Sequence, residues 1–442
     1  MAIQKLGINE FLALAAKHPV LDVRSPGEFK HAHIPGAYSL PLFTDEERKV
    51  VGTAYKQQSR QAAIKIGLDY FGGKMRRMVE EVEGILRKSE SRELSPEVRK
   101  SGRPKENTEV KSESREDRKS ERLNDVEADK VETIINIDSL NDKNNQGPRT
   151  SGLPDFPTPF PTSGLSDFRT LLSETSAPRT VLVHCWRGGI RSAGVAWLLD
   201  LYGFKVYTLV GGYKKFRHWV IERYSQPNPY KILGGYTGSG KTYVLDALRK
   251  AGQPVIDLEG LAKHKGSAFG SIGMPEQPTQ EMFENLLGLE IDRLTKANQS
   301  DLSKQEPIWL EDESQRIGLV NIPPVFWTRM RQSEVRFIDI PFEERLKHIV
   351  KEYGVLDKQR MMDAIQRIQK RLGPLETKTS LQLLQDGDLE GSFRILLKYY
   401  DKWYTKGLNN RERLNELLHV TLCSEVNAEA NSQILLSKQK VS

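Results

Sequence analysis

The stretch Tyr230–Thr242, YKILGGYTGSGKT, decides the fold of the C-terminal half. Its first part is a short apolar run that reads as a strand, and TYVLDALRKAG after it reads as a helix. Between them, GYTGSGKT fits G-x-x-x-x-G-K-[ST] at every required position, in the strand–loop–helix context that gives this motif its meaning. Gly235, Gly238 and Gly240 let the backbone wrap a phosphate, Lys241 supplies a point charge, and Thr242 can hold a magnesium ion. The motif predicts binding of a di- or triphosphate and leaves open whether a nucleotide is hydrolysed.

Downstream, the apolar runs PVIDLE, PIWLED and VRFIDI alternate with helical stretches. That alternation predicts a P-loop NTPase-like parallel α/β domain over 229–342. Beyond Pro341 the pattern reads as wholly helical, giving a helical C-terminal part over 343–442. Magnesium assistance calls for an acid at another strand end. Asp312, between Glu311 and Glu313, is the chosen candidate, with Asp257 and Glu259 as competitors. No separate metal centre is expected. In AKHKGSAFG, the residues Lys263, His264 and Lys265 are basic candidates for contact with an anion. In KQRMMDAIQRIQKRLG, Met361, Ile365, Ile368 and Leu372 form an apolar stripe, and Arg360, Arg367 and Arg371 fall along another face. Aligned guanidiniums suit phosphates, and Tyr399, Tyr400, Trp403 and Tyr404 suit either core packing or base stacking.

Upstream, RTVLVHC reads as a buried strand ending on Cys185, and VHCWRGGIRS continues into the helix SAGVAWLLDLYG. Gly188 and Gly189 allow backbone N–H groups to turn inward, forming an anion nest with the helix N-terminus. Arg187 and Arg191 add positive charge, and the field favours a nucleophilic thiolate. The spacing His-Cys, five residues, Arg-Ser admits both a cysteine phosphatase and a carrier of sulfur or selenium.

The totals set the frame. The chain has 442 residues, room for two or three domains, and a net charge of +7 with pI about 9.1. That mild basic excess is compatible with an anionic partner. Mean hydropathy is −0.54, and no apolar run reaches the roughly 20 residues of a membrane span. The two cysteines and the missing signal-peptide pattern predict a reducing cytoplasm, with a monomer expected. Residues 87–155 hold no aromatic side chain and mix Lys, Glu, Ser and Arg, which predicts a disordered insert. LPDFPTPFPTSG follows as an extended connector, then SDFRTLLSE as a helix.

LDVRSPGEFKHAHIPGAYSLP (Leu21–Pro41) resembles the N-terminal signature of rhodanese domains, and LVGGYKKFRHW (Leu209–Trp219) resembles their C-terminal signature. The Cys185 loop lies between them, so the resemblance implies a rhodanese-like domain over 1–225, interrupted at 87–155. DLEGLAKHKGSAFG (Asp257–Gly270) and WLEDESQRIG (Trp309–Gly318) extend the likeness. Together with LVGGYKKFR they resemble the bacterial tRNA 2-selenouridine synthases, through nearly the whole chain outside the insert and the last stretch. The insert is not part of that family pattern, and Lys402 stands where proline is expected. The resemblance implies an enzyme that replaces the sulfur of wobble 2-thiouridine in tRNA with selenium from selenophosphate. It also implies geranyl transfer from geranyl diphosphate to that sulfur before selenation. Cys185, Arg187 and Arg191 then suit selenophosphate, and Gly235–Thr242 suits the diphosphate. The competing reading is a rhodanese-fold sulfurtransferase or phosphatase with a regulatory nucleotide-binding P-loop domain. A third is an RNA-binding protein with vestigial domains.

Overall fold

The computed structural model describes residues 3–93, 179–299 and 306–437. The expected insert beyond Glu93, the Pro-rich connector and the helix expected over 166–174 lie outside them.

The N-terminal lobe runs β1 (Gln4–Leu6), α1 (Ile8–Ala15), β2 (Val20–Asp22), α2 (Pro26–His31), β3 (Tyr38–Ser39), α3 (Asp45–Gln57), α4 (Arg60–Gly72) and α5 (Met75–Glu93). It resumes with β4 (Thr180–His184), α6 (Ile190–Leu201), β5 (Lys205–Leu209) and α7 (Gly212–Arg223). The strands form one parallel sheet in the order β1-β5-β4-β2-β3, so β4 is central. Its Val181, Leu182 and Val183 are fully buried, as an apolar run covered on both faces must be. The carboxyl end of that strand, where α/β sheets bind ligands, delivers Cys185. On α5, Met78, Val79, Val82 and Leu86 are buried against Val183 and Val195, as their spacing predicts. The boundary expected at Arg87 is corrected, because α5 continues to Glu93. Lys88–Glu93 contains only helix-compatible Lys, Ser, Glu and Arg, and the first proline comes at Pro96.

The second lobe starts with β6 (Tyr230–Gly234), α8 (Lys241–Lys250), β7 (Val255–Ile256), α9 (Leu258–Ala262), α10 (Gln280–Gln299) and β8 (Ile308–Glu311). The hairpin β9 (Arg316–Ile317) and β10 (Val320–Asn321), α11 (Pro324–Arg331) and β11 (Glu334–Asp339) follow. Then come α12 (Phe342–Tyr353), α13 (Lys358–Arg367), α14 (Gln369–Leu372), α15 (Pro374–Asp386), α16 (Leu389–Asn409), α17 (Leu414–Leu417), β12 (Leu418–Leu422) and α18 (Ala428–Ser437). The main sheet is parallel, ordered β12-β11-β6-β8-β7.

Two expectations are corrected here. The chain beyond Pro341 is not wholly helical, because β12 pairs with β11 from Val335↔Leu418 to Asp339↔Leu422. As an edge strand with only Thr421 buried, it carries no apolar run that a sequence could show. The stretch KQRMMDAIQRIQKRLG is two helices, broken at Ile368, so Arg371 leaves the helix that carries Arg360 and Arg367. Its apolar stripe stands: Met361, Ile365 and Leu372 are buried and Ile368 packs beside them.

The lobes share a continuous core. Phe216, Trp219 and Val220 of α7 meet Phe283, Leu287 and Ile291 of α10 in one cluster. Polar links close the seam: Arg217 donates to Asn285 Oδ1 at 2.6 Å, Tyr224 OH to the Glu284 carbonyl at 2.8 Å, and Asn285 Nδ2 to the His33 carbonyl at 2.9 Å. Gly288 allows the approach, since a Cβ there would lie 2.9 Å from Val220 Cγ1.

Candidate active site

Two loops at carboxyl ends of parallel strands form the candidate site. In the first, Cys185 leaves β4 and is 3 % exposed. Its Sγ lies 3.3 Å from Ser192 Oγ, and that hydroxyl donates to the Gly189 carbonyl at 3.0 Å. The thiol is therefore the donor toward Ser192. The loop is clamped to α7, whose Tyr213 and Lys214 N–H groups reach the Cys185 and Trp186 carbonyls at 2.8 and 2.9 Å. This requires glycine at Gly212, where φ is +56° and a Cβ would strike the Cys185 carbonyl and lie 2.5 Å from Gly188 N.

The two loop arginines differ. Arg187 is exposed. Arg191 bonds Glu28 Oε2 at 3.1 Å, and Arg48 reaches the same oxygen at 2.9 Å. Glu28 also caps α2 by accepting Ser25 N–H at 3.1 Å. Burial raises the Glu28 pKa, but Arg191, the Ser25 amide and Arg48 outweigh it and hold the carboxylate below its usual range. Beside the loop lies a pocket of about 390 Å³ whose lining includes Arg24, Glu28, Arg48, Trp186 and Glu281. Glu281 comes from the second lobe, so both lobes build this pocket. Arg24 pairs with buried Asp22 at 2.6 Å, and His184 has its pKa lowered by burial.

In the second loop, Gly240 adopts φ +73° and releases the chain into α8. Lys241 Nζ donates to the Gly235 carbonyl at 2.8 Å, holding the charge over the loop. Thr242 Oγ1 donates to Glu259 Oε2 at 2.9 Å. Glu259 and Glu313 lie side by side, and Glu311 is fully buried behind them. Burial raises Glu259, with Asp257 adding to it and Lys241 and Thr242 opposing. Burial and Glu259 push Glu313 well above its usual range, and burial, Asp257 and Glu259 do the same to Glu311. The site therefore sets carboxyl groups with raised pKa next to a lysine and a hydroxyl.

The helical part orients this loop. Buried Arg345 donates to the Thr237 carbonyl at 3.0 Å and forks onto Asp401 at 2.9 and 2.8 Å. Tyr404 OH accepts Gly235 N–H at 3.2 Å and donates to Asp312 Oδ2 at 2.7 Å. Asp312 also pairs with Arg411. The chosen acid thus positions the loop through Tyr404, and it is Glu259 that touches Thr242. Lys263, His264 and Lys265 are not one cationic cluster. Lys263 is exposed with φ +51°, and Lys265 lies 4.0 Å from Glu352. His264 is buried between Gly270 and Gly318, and burial, with Arg367 adding to it, lowers its pKa. Glu28, Arg345 and Arg411 were not singled out as site residues by sequence, because each acts across a large chain separation, and Tyr404 was read for core packing or base stacking, not for holding the loop.

Residues 228–430 match the family described as "tRNA 2-selenouridine synthase AAA domain". The tRNA 2-selenouridine synthase of Nitrosomonas europaea is 30% identical over 375 residues, 84% of this chain and 72% of the relative. The chain belongs to the tRNA 2-selenouridine synthase family. Members from Bdellovibrio bacteriovorus and Hydrogenovibrio crunogenus are each 29% identical, covering 89% and 91% of this chain and 89% and 93% of their own. These alignments span both loops, so the family's likeness includes the Cys185 lobe as well as the phosphate-loop lobe. Among the described residues no helix is long and apolar enough to cross a membrane.

Proposed function

We propose that this chain replaces the sulfur of wobble 2-thiouridine in tRNA with selenium, in the cytoplasm, drawing selenium from selenophosphate. Geranylation precedes selenation: the thiouridine sulfur attacks the allylic carbon of geranyl diphosphate, the C–O bond breaks, pyrophosphate leaves and the base loses its N3 proton. The selenium of selenophosphate then adds at the same ring carbon, the alkylated sulfur departs as a thiol after taking a proton, and water cleaves the Se–P bond, releasing phosphate and leaving 2-selenouridine. Alkylation makes sulfur the better leaving group, which gives one chain a reason to hold two phosphate sites. The observation that carries the reading is that pair of loops, a cysteine loop rimmed by arginines and a G-x-x-x-x-G-K-T loop, on lobes that share one core. The N-terminal lobe acts as a rhodanese module, with Cys185, Arg187 and Arg191 receiving selenophosphate. Gly235, Gly238, Gly240, Lys241 and Thr242 receive the diphosphate.

The hard oxygen donors at this loop, Thr242 Oγ1 and the Glu259 carboxylate, fit Mg²⁺, which would neutralise diphosphate charge when bound. The test is mass spectrometry of nucleosides after incubating full-length protein with 2-thiouridine tRNA, geranyl diphosphate and selenophosphate. Selenouridine is expected with the wild type. Cys185→Ser should lose selenation and keep geranyl transfer, and Lys241→Ala should lose geranyl transfer. No selenouridine from the wild type on any thiolated tRNA, or turnover of thiosulfate or phosphomonoesters without tRNA affinity, would refute the proposal.

A further inference from the structure

Helix α16 has one face committed to the protein. Phe393, Leu396 and Leu397 are buried, and Tyr404 grips the phosphate loop and Asp312. Its only acid in the 394–410 stretch, Asp401, is tied to Arg345. The opposite face carries Lys398, Lys402 and Lys406, all exposed, at i, i+4 and i+8. These positions fall on one stripe, and like charges so spaced destabilise a helix. Among the described residues none of the three forms a salt bridge, and the nearest relief is the Glu343 carboxylate, which acts on Lys398 at longer range.

On the flank of the stripe stands Trp403, 41 % exposed. Lys406 Nζ lies 5.1 Å and Arg371 Cζ 5.9 Å from its ring centroid, and Tyr399 meets it at 6.4 Å. Lys370, beside Arg371, is exposed as well. Here the helix break at Ile368 matters: it takes Arg371 out of line with Arg360 and places it beside Trp403 instead. An exposed ring with two cations near it, next to a lysine row, meets the two demands of a single-stranded or looped nucleic acid, a stacking platform and a charged track.

We propose that the outer face of α16, with Lys398, Lys402, Lys406, Trp403 and Arg371, is the tRNA-binding surface that brings the substrate to the phosphate loop. The inference rests on the tRNA reading above and adds the location. The location follows from adjacent residues, since Tyr404 touches the loop while Trp403 faces solvent. Lysines neutralise backbone phosphates, Trp403 stacks an unpaired base, and Arg371 and Lys406 keep the ring in place.

The test is tRNA binding by the full chain between about 50 and 200 mM salt. Lys398→Gln/Lys402→Gln/Lys406→Gln should weaken affinity at least about tenfold and lower the slope of log K against log salt by about 2–3. Trp403→Ala should weaken affinity roughly five- to a hundredfold and leave that slope unchanged, because stacking releases no counterions. If the triple variant unfolds by circular dichroism, Lys402→Gln alone should lower the slope by about 1. A wild type that binds and selenates tRNA, with lysine variants of unchanged slope, overturns the surface and leaves the function standing. A wild type with no tRNA affinity overturns the function and the surface together. Lysine variants that lose only binding to phosphatidylglycerol vesicles would assign the face to a membrane and overturn the inference.

Discussion

Arg345→Met is the sharpest perturbation of the second lobe. Arg345 is 3 % exposed and bridges three elements: α12, the phosphate loop through Thr237, and α16 through Asp401. A fourth bond reaches the Ile340 carbonyl at 3.1 Å. Removing one partner of a buried ion pair costs about 3–5 kcal/mol. Asp401 retains some contact with water, which trims the loss to about 2–4 kcal/mol. For a lobe of this size that lowers Tm by roughly 4–16 °C. Scanning calorimetry reads the shift, and titration with geranyl diphosphate reads the loop, whose Thr237 carbonyl has lost its donor. Affinity should fall along with Tm. Arg345→Met/Asp401→Leu removes the stranded carboxylate and should recover at least about half of the lost Tm, since apolar replacement of a whole buried pair is often neutral. A single variant within about 2 °C of wild type, or a double variant no more stable than the single, would refute the claim that this pair fixes the loop.

Two further outcomes follow from the same geometry. Glu313 has a folded pKa raised by burial and by Glu259, so its stabilising protonated form is fully present below the ordinary value of 4.5 and is lost as pH rises through the raised value. Glu313→Gln should therefore be more stable than wild type at alkaline pH, with the gap widening as pH rises in thermal melts, and a gap that narrows would contradict the assignment. Gly212→Ala should lower Tm strongly and disturb alkylation of Cys185, because its Cβ meets backbone atoms at φ +56°, whereas Gly84→Ala, in open space on α5, should stabilise by up to about 1 kcal/mol. Equal melts for these two variants would dismiss the clamp on the cysteine loop.

Both loops were legible as strand–loop–helix connections because each is local. Cys185 to Ser192 and Gly235 to Thr242 carry their residue types within one turn of chain, between a strand and a helix whose patterns are also local. Their supports were not. Glu28 and Arg191 are 163 residues apart, Gly235 and Tyr404 are 169, and Thr237 and Arg345 are 108. Nothing near Tyr404 in LLKYYDKWY separates a tyrosine that grips a phosphate loop from one that fills a core. Asp312 was chosen for standing at a strand end, which is where it is, but its carboxylate faces Tyr404 and Arg411 because β8 alternates its side chains. The edge strand β12 escaped for the opposite reason: its pairing with β11 uses backbone groups, and its side chains stay mostly in water.

The supports also tie the two loops to each other. Helix α7 begins on the cysteine loop, with Tyr213 N–H on the Cys185 carbonyl, while Tyr213 OH donates to Glu281 and accepts from Asn285 of α10, each at 2.8 Å. Glu281 in turn lines the pocket beside Cys185. A hinge between the lobes would have to expose Phe216, Trp219, Phe283 and Leu287, each costing about 1.5–3 kcal/mol of burial or more, and would strip the cysteine pocket of one wall. The two loops are therefore held at a fixed relation by the shared core. On the function proposed above, the burden of movement then falls on the tRNA, and the surface proposed to hold it lies on α16, whose inner face is locked to the loop proposed to take the diphosphate.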